Sequence, residues 1–182
     1  MPGRYTSHLS PLALRRQFRT GNVLPNLRRR YNISPGQEAP VIRWDATRKR
    51  RQIEVWRWAL VPQWATGPDV SECCRVINVR AEALLNASST ALEQGRCLIP
   101  ANAFYVWKQD IDGKQPYAVA LADGGPMAFA GLWQTQGDFE GETVCWFTIV
   151  TTAANELVGG FRSEEHTSEL QSHLNLVCRL LL

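Results

Sequence analysis

Apolar and polar residues alternate with a period of two through much of this chain, most clearly in its second half. "APVIRW" (39–44) and "RQIEVWRWALV" (51–61) read as strands. In the second, Trp56, Trp58 and Leu60 share one face while Ile53, Val55, Ala59 and Val61 share the other. From Arg96 the pattern continues through "RCLIPANAFYVWKQ", "QPYAVALA", "MAFAGLWQ" and "TVCWFTIVTT". These runs are separated by Asp112-Gly113, Asp123-Gly124-Gly125 and Gly137-Asp138, which are hairpin signals. Tight turns between consecutive strands predict antiparallel pairing and exclude a βαβ arrangement.

Helical signals are fewer. "PLALRRQFR" (11–19) begins with Pro at a first helical position after Ser10, a suitable cap. "RAEALLNA" (80–87) predicts a short helix, and "TALE" (90–93) fits a capping box opening another. "LPNLRRRYNISPGQ" (24–37) is turn-rich and reads as a surface loop. The expected fold is α+β: a curled, barrel-like antiparallel sheet with a few short helices.

A length of 182 residues fits one domain with a core of its own. No apolar run approaches the roughly 18 residues of a membrane helix, and the first residues lack a secretory apolar core, so a cytoplasmic protein without a membrane partner is expected. The five cysteines (Cys73, Cys74, Cys97, Cys145 and Cys178) lack CxxC spacing, which predicts free thiols and no metal site. Charge is uneven. Residues 1–57 hold 13 Lys and Arg against 3 acidic residues, whereas 58–161 hold 5 against 11. The clusters at Arg28-Arg29-Arg30 and Arg48-Lys49-Arg50-Arg51 are either a surface for polyanions or solvated loops.

"RSEEHTSELQSH" (162–173) has no apolar periodicity joined to what precedes it. It resembles the translation of an adapter oligonucleotide used in short-read sequencing libraries. The expectation is a domain over 1–161, incomplete at its C-terminus, followed by a foreign tail over 162–182. His166, His173 and Cys178 are therefore set aside as site residues, which leaves His8, and nothing recommends His8 for a catalytic triad. Phosphate loops, dinucleotide fingerprints, HExxH and GxSxG are absent. Met1-Pro2 is a start that aminopeptidases trim, which would leave the secondary amine of Pro2 as a nucleophile or simply as a small second residue.

Eight stretches, in order, resemble the SOS response-associated peptidase family, the abasic-site processing proteins. They are "GRY" (3–5), "RYNISPGQ" (30–37), "WRWALVPQWA" (56–65), "INVRAEAL" (77–84), "RCLIPANAFYVWK" (96–108), "KQPYAVAL" (114–121), "MAFAGLW" (127–133) and "FTIVTTAAN" (147–155). The resemblance implies a monomer that binds single-stranded DNA at an abasic site, without a cofactor or a metal. In the family a cysteine after the initiator Met condenses with the lesion's aldehyde and closes a thiazolidine, assisted by an asparagine, a glutamate and a histidine. Asn78 falls at the asparagine, with Arg80 and Arg4 at phosphate-holding positions. Trp107, Trp64 and Pro35 fall where apolar groups meet the bases beside the lesion, with core packing the alternative for the tryptophans, for Trp64 more than for Trp107. For Asn78 and Arg80 a purely structural role remains the alternative.

The departures are Pro2 at the cysteine and Val106 at the glutamate; the histidine's expected place lies just beyond Phe161. The resulting expectation is a DNA-binding member without the standard crosslinking and autoprocessing chemistry. One alternative is a lyase that forms an iminium through Pro2. The other is a non-functional truncated product with an uncovered sheet edge.

Overall fold

A computed structural model describes residues 3–59, 76–85, 95–111, 113–137, 143–154, 158 and 178–181. The strands are β1 (Tyr5–Ser7), β2 (Arg30–Ile33), β3 (Glu38–Asp45), β4 (Arg50–Trp58), β5 (Asn78–Arg80), β6 (Arg96–Ala101), β7 (Ala103–Asp110), β8 (Gly113–Leu121), β9 (Met127–Gly137), β10 (Thr143–Thr151) and β11 (Cys178–Leu181). Two helices accompany them, α1 (Pro11–Phe18) and α2 (Ala81–Leu85).

One sheet runs β4-β3-β6-β9-β10-β5, and β10 also pairs with β4, so β3, β4, β6, β9 and β10 close into a five-stranded barrel. The other runs β11-β8-β7-β1-β2. This is the expected barrel-like α+β architecture, and closure removes the free edges an open sheet would present.

The barrel closes through parallel pairing of Trp146 with Arg57 and Phe147 with Trp58, and β5 joins β10 in parallel as well. The consecutive strands β7–β8 and β9–β10 pair antiparallel as expected; the two parallel contacts connect strands distant in sequence and carry no turn signal. The stretch 96–109 is two strands, not one: at Asn102 the chain leaves the barrel and enters the second sheet. Asn102 holds that corner by donating its amide to the Thr6 carbonyl at 2.9 Å, while its Oδ1 accepts from the His8 amide at 2.9 Å. The Asp123-Gly124-Gly125 turn likewise carries the chain between sheets, because β9 pairs with β6 and β10 and not with β8. The 24–37 loop is interrupted by β2, whose Ile33 is buried opposite Tyr5. Strands β7 and β8 do pair as a hairpin, with Asp110 opposite Gly113, whose φ of 124° suits glycine; Asp112 lies outside the described residues.

Helix α1 starts as expected, with the Ser10 side chain accepting from the Ala13 amide. Its Leu14 and Phe18 pack on Ile42 and Ile53, covering the outer face of β3–β4. Trp56 and Trp58 point from the opposite face into the main core with Tyr5, Ile99, Phe129 and Phe147. The two-face reading of β4 is thus correct through Trp58; its continuation to 60–61 and the capping box at 90–93 lie outside the described residues. The 162–182 segment also falls mostly outside them, except that 178–181 pair with 118–121 of β8.

Candidate functional site

Three segments far apart in sequence meet on Trp58, which is fully buried. The Tyr5 ring lies edge-on to its indole, with centroids 5.2 Å apart. Its Nε1 donates to the Ile77 carbonyl at 2.8 Å, fixing the residue before Asn78. Its backbone accepts from Gly36 at 2.6 Å and donates to Gln37 O at 2.9 Å. Nothing in the period-two pattern distinguishes Trp58 from the other strand tryptophans, because its role comes from what the fold brings to it.

Pro35 sits in a type II turn: Pro at the second position, Gly36 with φ 85° at the third, and Gln37 N donating to Ser34 O at 3.2 Å. Arg30 braces that turn by donating to Gln37 Oε1 at 2.7 Å and Glu38 O at 2.9 Å. This part of the 28–30 basic run is therefore committed internally. Asn78 is half-buried at the start of β5, opposite Ile149 of β10. Arg80 is exposed at its end, opposite Thr151.

Arg4 and Trp107 belong to a second group, on the outer face of β1–β7. Arg4 is exposed and donates to Asn32 Oδ1 at 3.0 Å, while its carbonyl accepts from the Tyr105 amide at 2.9 Å. The Tyr105 and Trp107 rings lie 6.4 Å apart, and the Tyr105 hydroxyl donates to Tyr31 O at 2.9 Å. Tyr31, 57% exposed, stacks on His8 at 5.1 Å. Sequence reasoning missed Tyr31 and Asn32 because β2 was hidden in a basic, turn-rich stretch, and missed Tyr105 because it attended to Val106 and Trp107. Tyr5, between Arg4 and Thr6 on β1, links this group to Trp58.

Alternation along β7 sends Val106 to the other face, where it is 1% exposed in the main core. Its isopropyl group can neither accept nor donate a proton. The Cys97 thiol is buried, and burial pushes its pKa up, so it stays protonated. Burial raises Cys145 too, with Glu54 nearby acting in the same direction. Burial also holds the Tyr5 phenol in its neutral form. Pro2 and Trp64 lie outside the described residues, as do Cys73 and Cys74. Among the described residues no three His, Cys, Asp or Glu side chains gather as metal ligands. No helix among them is long and apolar enough to cross a membrane.

A family model described as SOS response associated peptidase (SRAP) matches residues 1–163. The chain belongs to this family. Among SRAP relatives, the abasic site processing protein YoqW of Bacillus subtilis is 34% identical over 163 residues, covering 87% of this chain and 71% of that protein. The abasic site processing protein HMCES of Xenopus tropicalis is 28% identical over 158 residues, covering 69% of this chain and 46% of that protein. A crystal structure of a Bacteroides thetaiotaomicron protein superposes with a TM-score of 0.74 at 18% identity, over 99% of this chain and 77% of that one. One of a Bordetella bronchiseptica protein gives 0.70 at 22%, over 91% and 80%. At such identities the two structures establish the fold.

Proposed function

We propose that this SRAP protein binds single-stranded DNA at abasic sites as a monomer and does not form the thiazolidine crosslink. The observation that carries the reading is the convergence on Trp58 of the N-terminal strand, the Pro35 turn and the strand opened by Asn78. These are three of the stretches that resemble the family. In this reading the Asn78 amide hydrogen-bonds the opened sugar, Arg4 and Arg80 hold flanking phosphates, and Trp107, Trp64 and Pro35 meet neighbouring bases. Guanidinium forks suit phosphate oxygens, and an indole offers its face to any base, so recognition of the flanks is indifferent to sequence.

A thiazolidine needs an amine and a thiol on one residue, and Pro2 offers no thiol. Its secondary amine can attack the aldehyde, and loss of water then gives a reversible iminium. Abstraction of a sugar proton from that adduct requires a base, which Val106 cannot be.

The test is anisotropy binding of a single-stranded oligonucleotide with one abasic site beside its intact counterpart, with and without borohydride. The expected result is salt-sensitive preference for the abasic strand and no heat-stable adduct in the absence of borohydride. Equal affinity for both strands overturns the reading. A borohydride-dependent covalent band that is lost on modifying the N-terminus assigns iminium chemistry to Pro2, and cleavage of the strand at the lesion moves the protein into the lyase class.

A further inference from the structure

The fold locks together two basic runs that are separate in sequence. Arg15, Arg16 and Arg19 occupy the C-terminal end of α1, and all three are exposed. Residues 48–51, Arg-Lys-Arg-Arg, form the β3–β4 turn and the start of β4, and all four are exposed. The two runs are joined by direct contacts. The Arg51 guanidinium donates to the Phe18 carbonyl at 3.2 Å, and Gly21 N donates to Arg51 O at 2.9 Å. Thr20 bridges to Arg51 in parallel and donates to the Arg15 carbonyl at 3.2 Å. The Arg50 side chain lies so close over Gly21 that a Cβ there would stand 2.9 Å from its Cδ.

Among the described residues, Arg48 alone of these seven cations has an ion-pair partner, Asp45 at 2.9 Å. Cations at the end of α1 complement its dipole, but that effect decays within one turn and does not reach the β3–β4 turn. Like charges gathered on segments joined in this way repel one another, and a polyanion relieves that repulsion. Trp44, 58% exposed, stands opposite Arg51 across the β3–β4 pair and sets an apolar surface beside the charges. Helix α1, Trp44 and Arg51 lie on the Ile42–Ile53 side of β3–β4, facing away from the core that holds Trp58 and Val106.

We propose that the C-terminal end of α1 and the β3–β4 turn form a second nucleic-acid face, one that grips the phosphodiester backbone of duplex DNA. Backbone contact of this kind needs positive charge on a fixed scaffold and no base readout. The proposal does not depend on the abasic-site reading, because its ligand carries neither a lesion nor a single strand.

The test measures binding of intact duplex DNA as salt is varied, using wild type and R15Q/R16Q/K49Q/R50Q. That variant spares Arg48 and Arg51, whose hydrogen bonds hold the turn and the helix end. The wild type is expected to show log K falling linearly with log salt, and the variant's slope should be shallower by about 2–4, with affinity at least about tenfold weaker at low salt. A single-stranded abasic oligonucleotide of about five nucleotides, held by the lesion site alone in this reading, should bind both proteins equally. An unchanged slope for the duplex overturns the proposal. So does an equal loss on both probes in a variant that melts like wild type, or binding of phosphatidylserine vesicles without binding of duplex.

Discussion

Trp58→Phe removes the indole N–H from Ile77 while keeping an aromatic ring in the core. The substitution deletes two buried ring carbons, which at about 0.8 kcal/mol each is worth roughly 1.5 kcal/mol. It also deletes one hydrogen bond at 2.8 Å. The Ile77 carbonyl keeps its bond from the Ile149 amide at 3.2 Å, so it is not orphaned, and the loss there is about 1 kcal/mol. A total near 2.5 kcal/mol lowers the melting temperature by about 5–10 °C for a chain of this size. The effect should also be local. Amide exchange at 78–80 should accelerate more than in the β7–β8 hairpin, because the indole N–H is bonded to Ile77 beside β5, and affinity for abasic DNA should fall with it. Circular-dichroism melts and hydrogen exchange read both quantities. A loss under about 0.5 kcal/mol, below the range expected for a buried hydrogen bond and its ring, would refute the role given to Trp58. Uniform exchange across the protein would refute it equally.

Gly131→Ala should be destabilising by about 1–3 kcal/mol. Its Cβ would lie 2.8 Å from the Thr148 carbonyl and 3.1 Å from Cys97 Sγ, where β6, β9 and β10 run side by side, and a denaturant titration reads the loss. Asn22→Ala breaks two bonds to the Ile53 backbone, Nδ2 to O at 2.7 Å and N to Oδ1 at 2.9 Å. The cost should be about 2 kcal/mol in the same assay, and a null effect would show that water replaces the side chain. Asp45 has its pKa lowered chiefly by the Arg48 side-chain hydrogen bond, with backbone N–H groups adding to it. A depressed carboxylate stabilises the fold above its unfolded value near 3.9, and that contribution is lost as pH falls through the folded value. Asp45→Asn should therefore melt with less pH dependence than wild type below about pH 4, and parallel profiles would contradict the assignment.

How much was legible follows the range of the interaction. Ser10-Pro11 and Asp112-Gly113 act within a few residues, so the start of α1 and the β7–β8 hairpin could be read directly. Alternation also assigned the two faces of β4, since Ile53 and Trp56 each reached the core expected of its side. Asn102 was not legible as a corner, because the apolar pattern continues across it while its amide and Oδ1 bind Thr6 and His8 at the far end of the chain. β2 was hidden for a related reason: Ile33 becomes a core residue only once Tyr5 lies opposite it. Arg4, Pro35, Asn78 and Trp107 were identified by resemblance to a family, and alternation says nothing about them. Trp58 lies inside the "WRWALVPQWA" stretch, yet neither the resemblance nor the alternation marks it out from Trp56 beside it.

The closing contact of the barrel has a consequence for synthesis. Trp58 and Phe147 pair in parallel although nearly half the chain separates them. Contacts this remote incur loop-closure entropy before they contribute any stability, which slows folding. On the ribosome, β3, β4 and β6 emerge well before β10, and elongation at about 5–20 residues per second leaves their edges open for several seconds. The hairpin of β7 and β8 can form in that interval from its own local turn. The barrel, and with it the final seat of Asn78 beside Ile149, has to wait for the last of its strands.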